Sequence, residues 1–84
     1  MAREPRTALV RSGSETKVVP AAKLSPGDEV VVRAGETVPA DGTIVEGSST
    51  FDESFLTGES LPVEHSLGDE VAGGSVNVAR VVVI

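Results

Sequence analysis

Residues 24–47 read LSPGDEVVVRAGETVPADGTIVEG. Ser25-Pro26-Gly27-Asp28 is a turn, because Pro26 presets a negative φ and Gly27 accepts a positive one. Glu29 to Arg33 follows as a Val-rich strand, and Ala34-Gly35-Glu36 turns again. Pro is disfavoured inside a central strand, so Pro39-Ala40-Asp41-Gly42 is a further break. Gly42 to Glu46 is then a second strand, apolar at Ile44 and Val45. Fifteen of the 33 apolar residues of the chain are Val, and only Phe51 and Phe55 are aromatic. Val is stiff at its first side-chain torsion and suits a pleated surface, so the composition favours strands.

The same rhythm continues outward. Towards the N-terminus, Thr7 to Arg11 alternates, with Ala8 and Val10 on one face. Ser12-Gly13-Ser14 turns it back into Glu15 to Val19. Pro20 ends that strand, and Pro20 to Leu24 is a turn or a helical turn. Towards the C-terminus, Gly47-Ser48-Ser49 turns into Thr50-Phe51-Asp52. Glu53 to Leu56 forms one helical turn with Asp52 as its cap. A loop, Thr57 to Pro62, leads to the short extended Val63 to His65. Leu67 to Glu70 turns, and Val71 to Gly73 and Ser75 to Ile84 are strands. The predicted fold is all-β: a small, distorted jelly-roll or barrel-like domain with at most short helical turns. Closing such a sheet hides its edges.

At 84 residues the chain has room for one core. We expect a flexible segment at 1–6 and one domain at 7–84. Thirteen acids against seven bases give a net charge of −6. No basic stripe exists for nucleic acid or for an anionic membrane surface. No apolar run approaches the ~18–20 residues of a membrane span, and residues 1–6 lack the apolar core of a secretion signal. With no Cys, disulfides and thiolate metal sites are excluded. The sequence stops within the apolar run Val81-Val82-Val83-Ile84, which reads as a piece cut from a longer protein, with Met1-Ala2 as a start-codon addition.

The stretch richest in chemistry is DESFLTGESLPVE, residues 52–64. Gly58 permits an unusual φ and close approach of another surface. Pro62 stiffens the exit. The result is an exposed loop with a carboxylate, Glu59, at its tip, able to take a proton from water as a general base. Nothing else in the chain completes a catalytic pair, so a substrate for Glu59 has to sit on another domain. Spacing alone leaves a polar turn as the plainer reading.

This stretch resembles the signature of the actuator domain of P-type ATPases. The resemblance extends to LSPGDEVVVRAGETVPADGTIVEG before it and to GDEVAGGSVN (68–77) after it, covering about residues 17–84 without a gap. It implies the following. A separate domain carries an Asp that ATP phosphorylates. The actuator domain rotates as a rigid body and brings its Thr-Gly-Glu loop against the aspartyl phosphate, where Glu59 positions and deprotonates the attacking water. Thr57, Gly58, Glu59 and Ser60 are then the catalytic set, with Asp52, Glu53 and Pro62 as loop support. Rotation pulls on the membrane helices and couples dephosphorylation to ion release. The partners are the phosphorylation and nucleotide-binding domains and the membrane helices of the same polypeptide. No cofactor or metal is implied in this chain itself; ATP and Mg²⁺ act in the full-length pump. The chain is expected to be a cytoplasmic, monomeric piece of a membrane protein, without turnover alone, since it has neither an Asp-Lys-Thr-Gly phosphorylation sequence nor a Cys-Pro-Cys membrane site.

Gly42 within Pro-Ala-Asp-Gly, and the short Gly-Gly-Ser-Val-Asn segment, resemble the heavy-metal-transporting branch. Copper pumps there usually read Ser-Gly-Glu-Pro at the signature. Thr-Gly-Glu-Ser is more like the zinc, cadmium, lead or cobalt pumps, and a potassium-pump actuator is the alternative. Other readings are a small β binding module, for which the aromatic residues are too few to build a peptide groove, and a structural linker domain with an inert Glu59.

The remaining residues have plainer roles. His65 is expected to be solvated. Asp28 and Asp41 are expected to bond nearby backbone N–H groups. The acids Asp52, Glu53, Glu59 and Glu64 lack the ligand spacing of a calcium loop. Val30 to Val32, Val71 and Val81 to Val83 are expected to be core or sheet residues, with Phe51 and Phe55 anchoring the loop to the core.

Overall fold

The turns named above cut the chain into strands of two to six residues. The computed structural model describes residues 6–58 and 61–84. The strands are β1 (Thr7–Ser12), β2 (Glu15–Pro20), β3 (Glu29–Val32), β4 (Gly42–Thr43), β5 (Ser49–Asp52), β6 (Val63–His65), β7 (Glu70–Val71), β8 (Val76–Asn77) and β9 (Val82–Val83). Among the described residues helical structure is limited to a 3-10 turn at Ala21–Lys23 and one α-turn, α1, at Ser54–Thr57. The all-β expectation therefore stands.

Three antiparallel sheets result: β2-β1-β3-β9, β4-β7 and β6-β5-β8. They do not close into one hydrogen-bonded barrel among the described residues. Single bridges tie non-strand residues to them, Thr37 to Val76 and Glu46 to Val83. The centre of the molecule is apolar, built from Val32, Val38, Ile44, Phe51, Val71 and Val82. In β3 the two-residue period of a strand puts Val30 and Val32 inside and leaves Val31 half-buried.

Several boundaries differ from the sequence reading. Gly42 to Glu46 is regular only at Gly42–Thr43, because the next residues change partners. Ile44 exchanges backbone bonds with Gly68 and Asp69, and the Val45 N–H goes to the Val83 carbonyl. Ser75 to Ile84 divides into β8 and β9. Between them Val81 is exposed, against expectation. Ser49 belongs to β5 rather than to a turn, and it is fully buried.

The break between β8 and β9 is held by a buried polar network. The Asn77 Nδ2 group donates to the Val32 carbonyl at 2.9 Å and to the Arg80 carbonyl at 2.6 Å. The Ser49 hydroxyl donates to Asn77 Oδ1 and accepts the Arg80 N–H at 2.8 Å. Satisfying these groups internally removes the penalty of burying them.

Candidate functional site

The site is built at the end of β5. Phe51 is fully buried and fixes the strand to the core. One residue on, Asp52 Oδ1 accepts the Ser54 N–H at 2.9 Å. That bond satisfies an otherwise unpaired donor at the start of α1. The N-cap position itself falls to Glu53, so Asp52 caps the turn from one residue further out than expected. The Ser54 backbone N–H and then the Ser54 hydroxyl hold the Asp52 carboxyl below its ordinary value.

Within α1 the Leu56 N–H reaches the Glu53 carbonyl at 2.9 Å and the Gly58 N–H reaches the Ser54 carbonyl at 2.7 Å. Gly58, at φ 73°, ends the turn in the left-handed region. A side chain there would cost about 1–2 kcal/mol, so Gly is the residue that stops the helix and redirects the chain. Glu59 and Ser60 follow, and both lie outside the described residues, as does the Thr57 side chain. The chain resumes at exposed Leu61 and Pro62 and pairs back through β6, with Phe51 opposite Val63, Thr50 opposite Glu64 and Ser49 opposite His65.

His65 departs most from its expected role. Its Nε2 lies 3.0 Å from Glu53 Oε2, and the two side chains are only 17% and 16% exposed. Its ring rests on Phe51 at a centroid distance of 5.6 Å. Its Nδ1 lies 3.9 Å from Asp69 Oδ2. A carboxylate only accepts, so Nε2 carries the proton in this contact. His65 is thus packed and paired, not solvated. No local signal reveals it, since the partners are 12 residues apart in sequence.

Phe55 is half-exposed, so it does not enter the core as expected. Its ring instead covers Gly74, where a Cβ would come within 2.7 Å of it. Asp28 bonds the nearby Ser25 N–H, as expected. Asp41 does not act locally: its Oδ1 accepts the Gly73 N–H at 2.7 Å across 32 residues. At Gly73 a Cβ would stand 3.0–3.1 Å from the Ala40 and Asp41 backbone. The Pro-Ala-Asp-Gly and Gly-Gly segments therefore meet backbone to backbone. Beside them lies a groove of about 560 Å³, walled by Asp41, Thr43, Glu53 and Glu70 among others. No three His, Asp or Glu side chains among the described residues converge as metal ligands.

The family model of the P-type ATPase actuator domain matches residues 2–84. A zinc-transporting ATPase of Bacillus subtilis (strain 168) is 51% identical over 74 residues, covering 88% of this chain and 12% of its own length. Copper-transporting ATPase 1 of Rhizobium meliloti (strain 1021) is 42% identical over 74 residues, covering 88% of this chain and 9% of its own. A zinc/cadmium/lead-transporting P-type ATPase of Escherichia coli (strain K12) is 44% identical over 84 residues, covering 100% of this chain and 12% of its own. The solved structure of a zinc-transporting PIB-type ATPase in its E2.Pi state superposes with a TM-score of 0.90 at 44% identity, over 95% of this chain and 13% of that one. The chain spans about a tenth of the length of the curated relatives it matches.

Proposed function

Because this chain belongs to the P-type ATPase actuator-domain family, we propose that its Thr57-Gly58-Glu59-Ser60 loop directs water onto an aspartyl phosphate carried by another domain of the same polypeptide. Glu59 takes the proton from the water as its oxygen attacks phosphorus. The bond from phosphorus to the aspartyl oxygen breaks, leaving inorganic phosphate and a free carboxylate. Thr57 and Ser60 order the loop. The observation that supports this reading is that the signature begins within a helical turn, at its last residue Thr57, and leaves it through left-handed Gly58. Gly58 is exposed, so a phosphorylated surface can reach the end of that turn.

In this proposal the domain, residues 7–84, turns as a rigid unit against the phosphorylation and nucleotide-binding domains and the membrane helices, and so couples dephosphorylation to ion transport. ATP and Mg²⁺ belong to the other domains, which also supply the cations that a carboxylate needs beside a phosphate. Among the described residues no helix is long and apolar enough to cross a membrane. The proposed setting is the cytoplasmic side of a membrane pump, with this piece monomeric and without turnover of its own. The proposed cargo is a heavy-metal cation of the zinc, cadmium, lead or cobalt kind, on the strength of Thr-Gly-Glu-Ser at the signature.

The test is phosphoenzyme decay in the parent pump, wild type against Glu59→Gln. A general base is worth about 10²–10⁴-fold in rate. Phosphorylation by ATP should persist while decay slows by about that factor. Unchanged decay would remove Glu59 from the chemistry and leave the domain a mechanical element.

A further inference from the structure

We infer that His65 is a positioning residue for the signature loop: it clasps Glu53 and so closes, at its base, the loop that carries Glu59. Three observations place it there. Its Nε2 donates to Glu53 Oε2 at 3.0 Å, in a contact where both side chains are less than one-fifth exposed. Glu53 is the N-cap residue of α1, and its carbonyl accepts the Leu56 N–H at 2.9 Å. His65 is the last residue of β6, the strand by which the chain returns from the loop. The Glu53–His65 bond therefore ties the start of the loop to its end across 12 residues.

The consequence is geometric. α1 is four residues long, and a helix that short is not stable by itself. Its orientation has to be imposed from outside. Asp52 fixes the first N–H, and His65 fixes the side chain of the N-cap residue. With both ends of the loop tied, the direction in which Gly58 releases the chain is set before any partner docks. The His65 ring is in turn held by Phe51, with Asp69 on its other side at 3.9 Å. Such preorganisation matters because an error of about 1 Å in a reacting group can cost about 10²-fold in rate.

The catalytic consequence rests on the proposed role of Glu59, but the clasp itself does not. Two measurements keep them apart. In the 84-residue chain, amide hydrogen exchange should show faster exchange at Leu56 and Gly58 in His65→Ala, with Val30 and Ile84 in the first sheet unchanged as a control for folding. His65→Gln keeps a side-chain N–H for Glu53 and should restore protection. In the parent pump, His65→Ala should slow phosphoenzyme decay by about tenfold and His65→Gln should recover most of it, while phosphorylation by ATP is unaffected. Wild-type exchange at Leu56 and Gly58 in His65→Ala would overturn the clasp. Wild-type decay in His65→Ala, in a pump that Glu59→Gln does slow, would overturn its positioning role. If Glu59→Gln also decays normally, the catalytic reading fails and the exchange result alone decides the clasp.

Discussion

The Asn77 side chain makes three hydrogen bonds with one amide group. It donates to the Val32 and Arg80 carbonyls and accepts the Ser49 hydroxyl. Val32 belongs to the first sheet and Asn77 to the third, so one side chain cross-links them. Asn77→Asp keeps the shape and replaces both donors by acceptors facing two carbonyl oxygens. The expected cost is about 3 kcal/mol, since buried carbonyls lose their partners and a carboxylate is desolvated. Urea unfolding should show a lower midpoint with an unchanged slope. A change below about 0.5 kcal/mol, the ordinary range for surface substitutions, would mean that the network contributes little. Gly73 shows the same dependence on detail: a Cβ there would stand 3.0–3.1 Å from the Ala40 and Asp41 backbone, so its absence lets two turns meet closely.

At the scale of the element, α1 starts from a bond to a charged side chain, the Asp52 carboxylate. The folded pKa of Asp52 is lowered by the Ser54 N–H and hydroxyl. Its contribution is therefore fully present above the unfolded value and is lost as pH falls through the lower folded value, from about pH 4 downward. An NMR titration should give Asp52 a midpoint below the ordinary carboxylate value, with the Ser54 amide shift following the same curve. Asp52→Asn should remove that acid limb from the Ser54 amide. A Ser54 amide that ignores the Asp52 titration would break the link between carboxylate and turn. The turn was legible in sequence because Asp52 precedes it and Gly58 follows it. The cap position shifted by one residue because the helix starts at Ser54, which leaves Glu53 as the flanking residue and Asp52 at the end of β5.

For the whole molecule, the radius of gyration is 11.8 Å, close to the ~12 Å of a compact domain of this length. Among the described residues no sheet has more than four strands, so stiffness comes from the contacts that tie the sheets to the rest of the chain. The last residues hold the first sheet to Val45 and Glu46. The Val30 N–H bonds the Ile84 carbonyl at 2.7 Å and the Ile84 N–H bonds the Val30 carbonyl at 2.8 Å. The Val83 carbonyl accepts the Val45 N–H, also at 2.8 Å. Val82, Val83 and Ile84 are all buried. Each such side chain contributes about 1.5–3 kcal/mol by burial, and a domain of this size has only about 4–13 kcal/mol in total. Deleting residues 82–84 should therefore abolish cooperative unfolding. A truncated chain that still melts in one sharp transition, followed by circular dichroism, would place the stability elsewhere.

By itself the sequence determined the strand-rich class, the turns and the chemistry-bearing stretch. Pro, Gly and Val act within a few residues of themselves, and their preferences survive in any context. The resemblance of residues 52–64 to the actuator signature likewise needed only the order of residues. Tertiary structure decided what lies across space. Asp41 found Gly73 rather than a neighbour, His65 found Glu53 rather than solvent, and Val81 faced outward while Val82 faced in. Each outcome depends on which strands meet and in what register. That is fixed by packing and hydrogen-bond satisfaction summed over the whole chain, and no local preference encodes it.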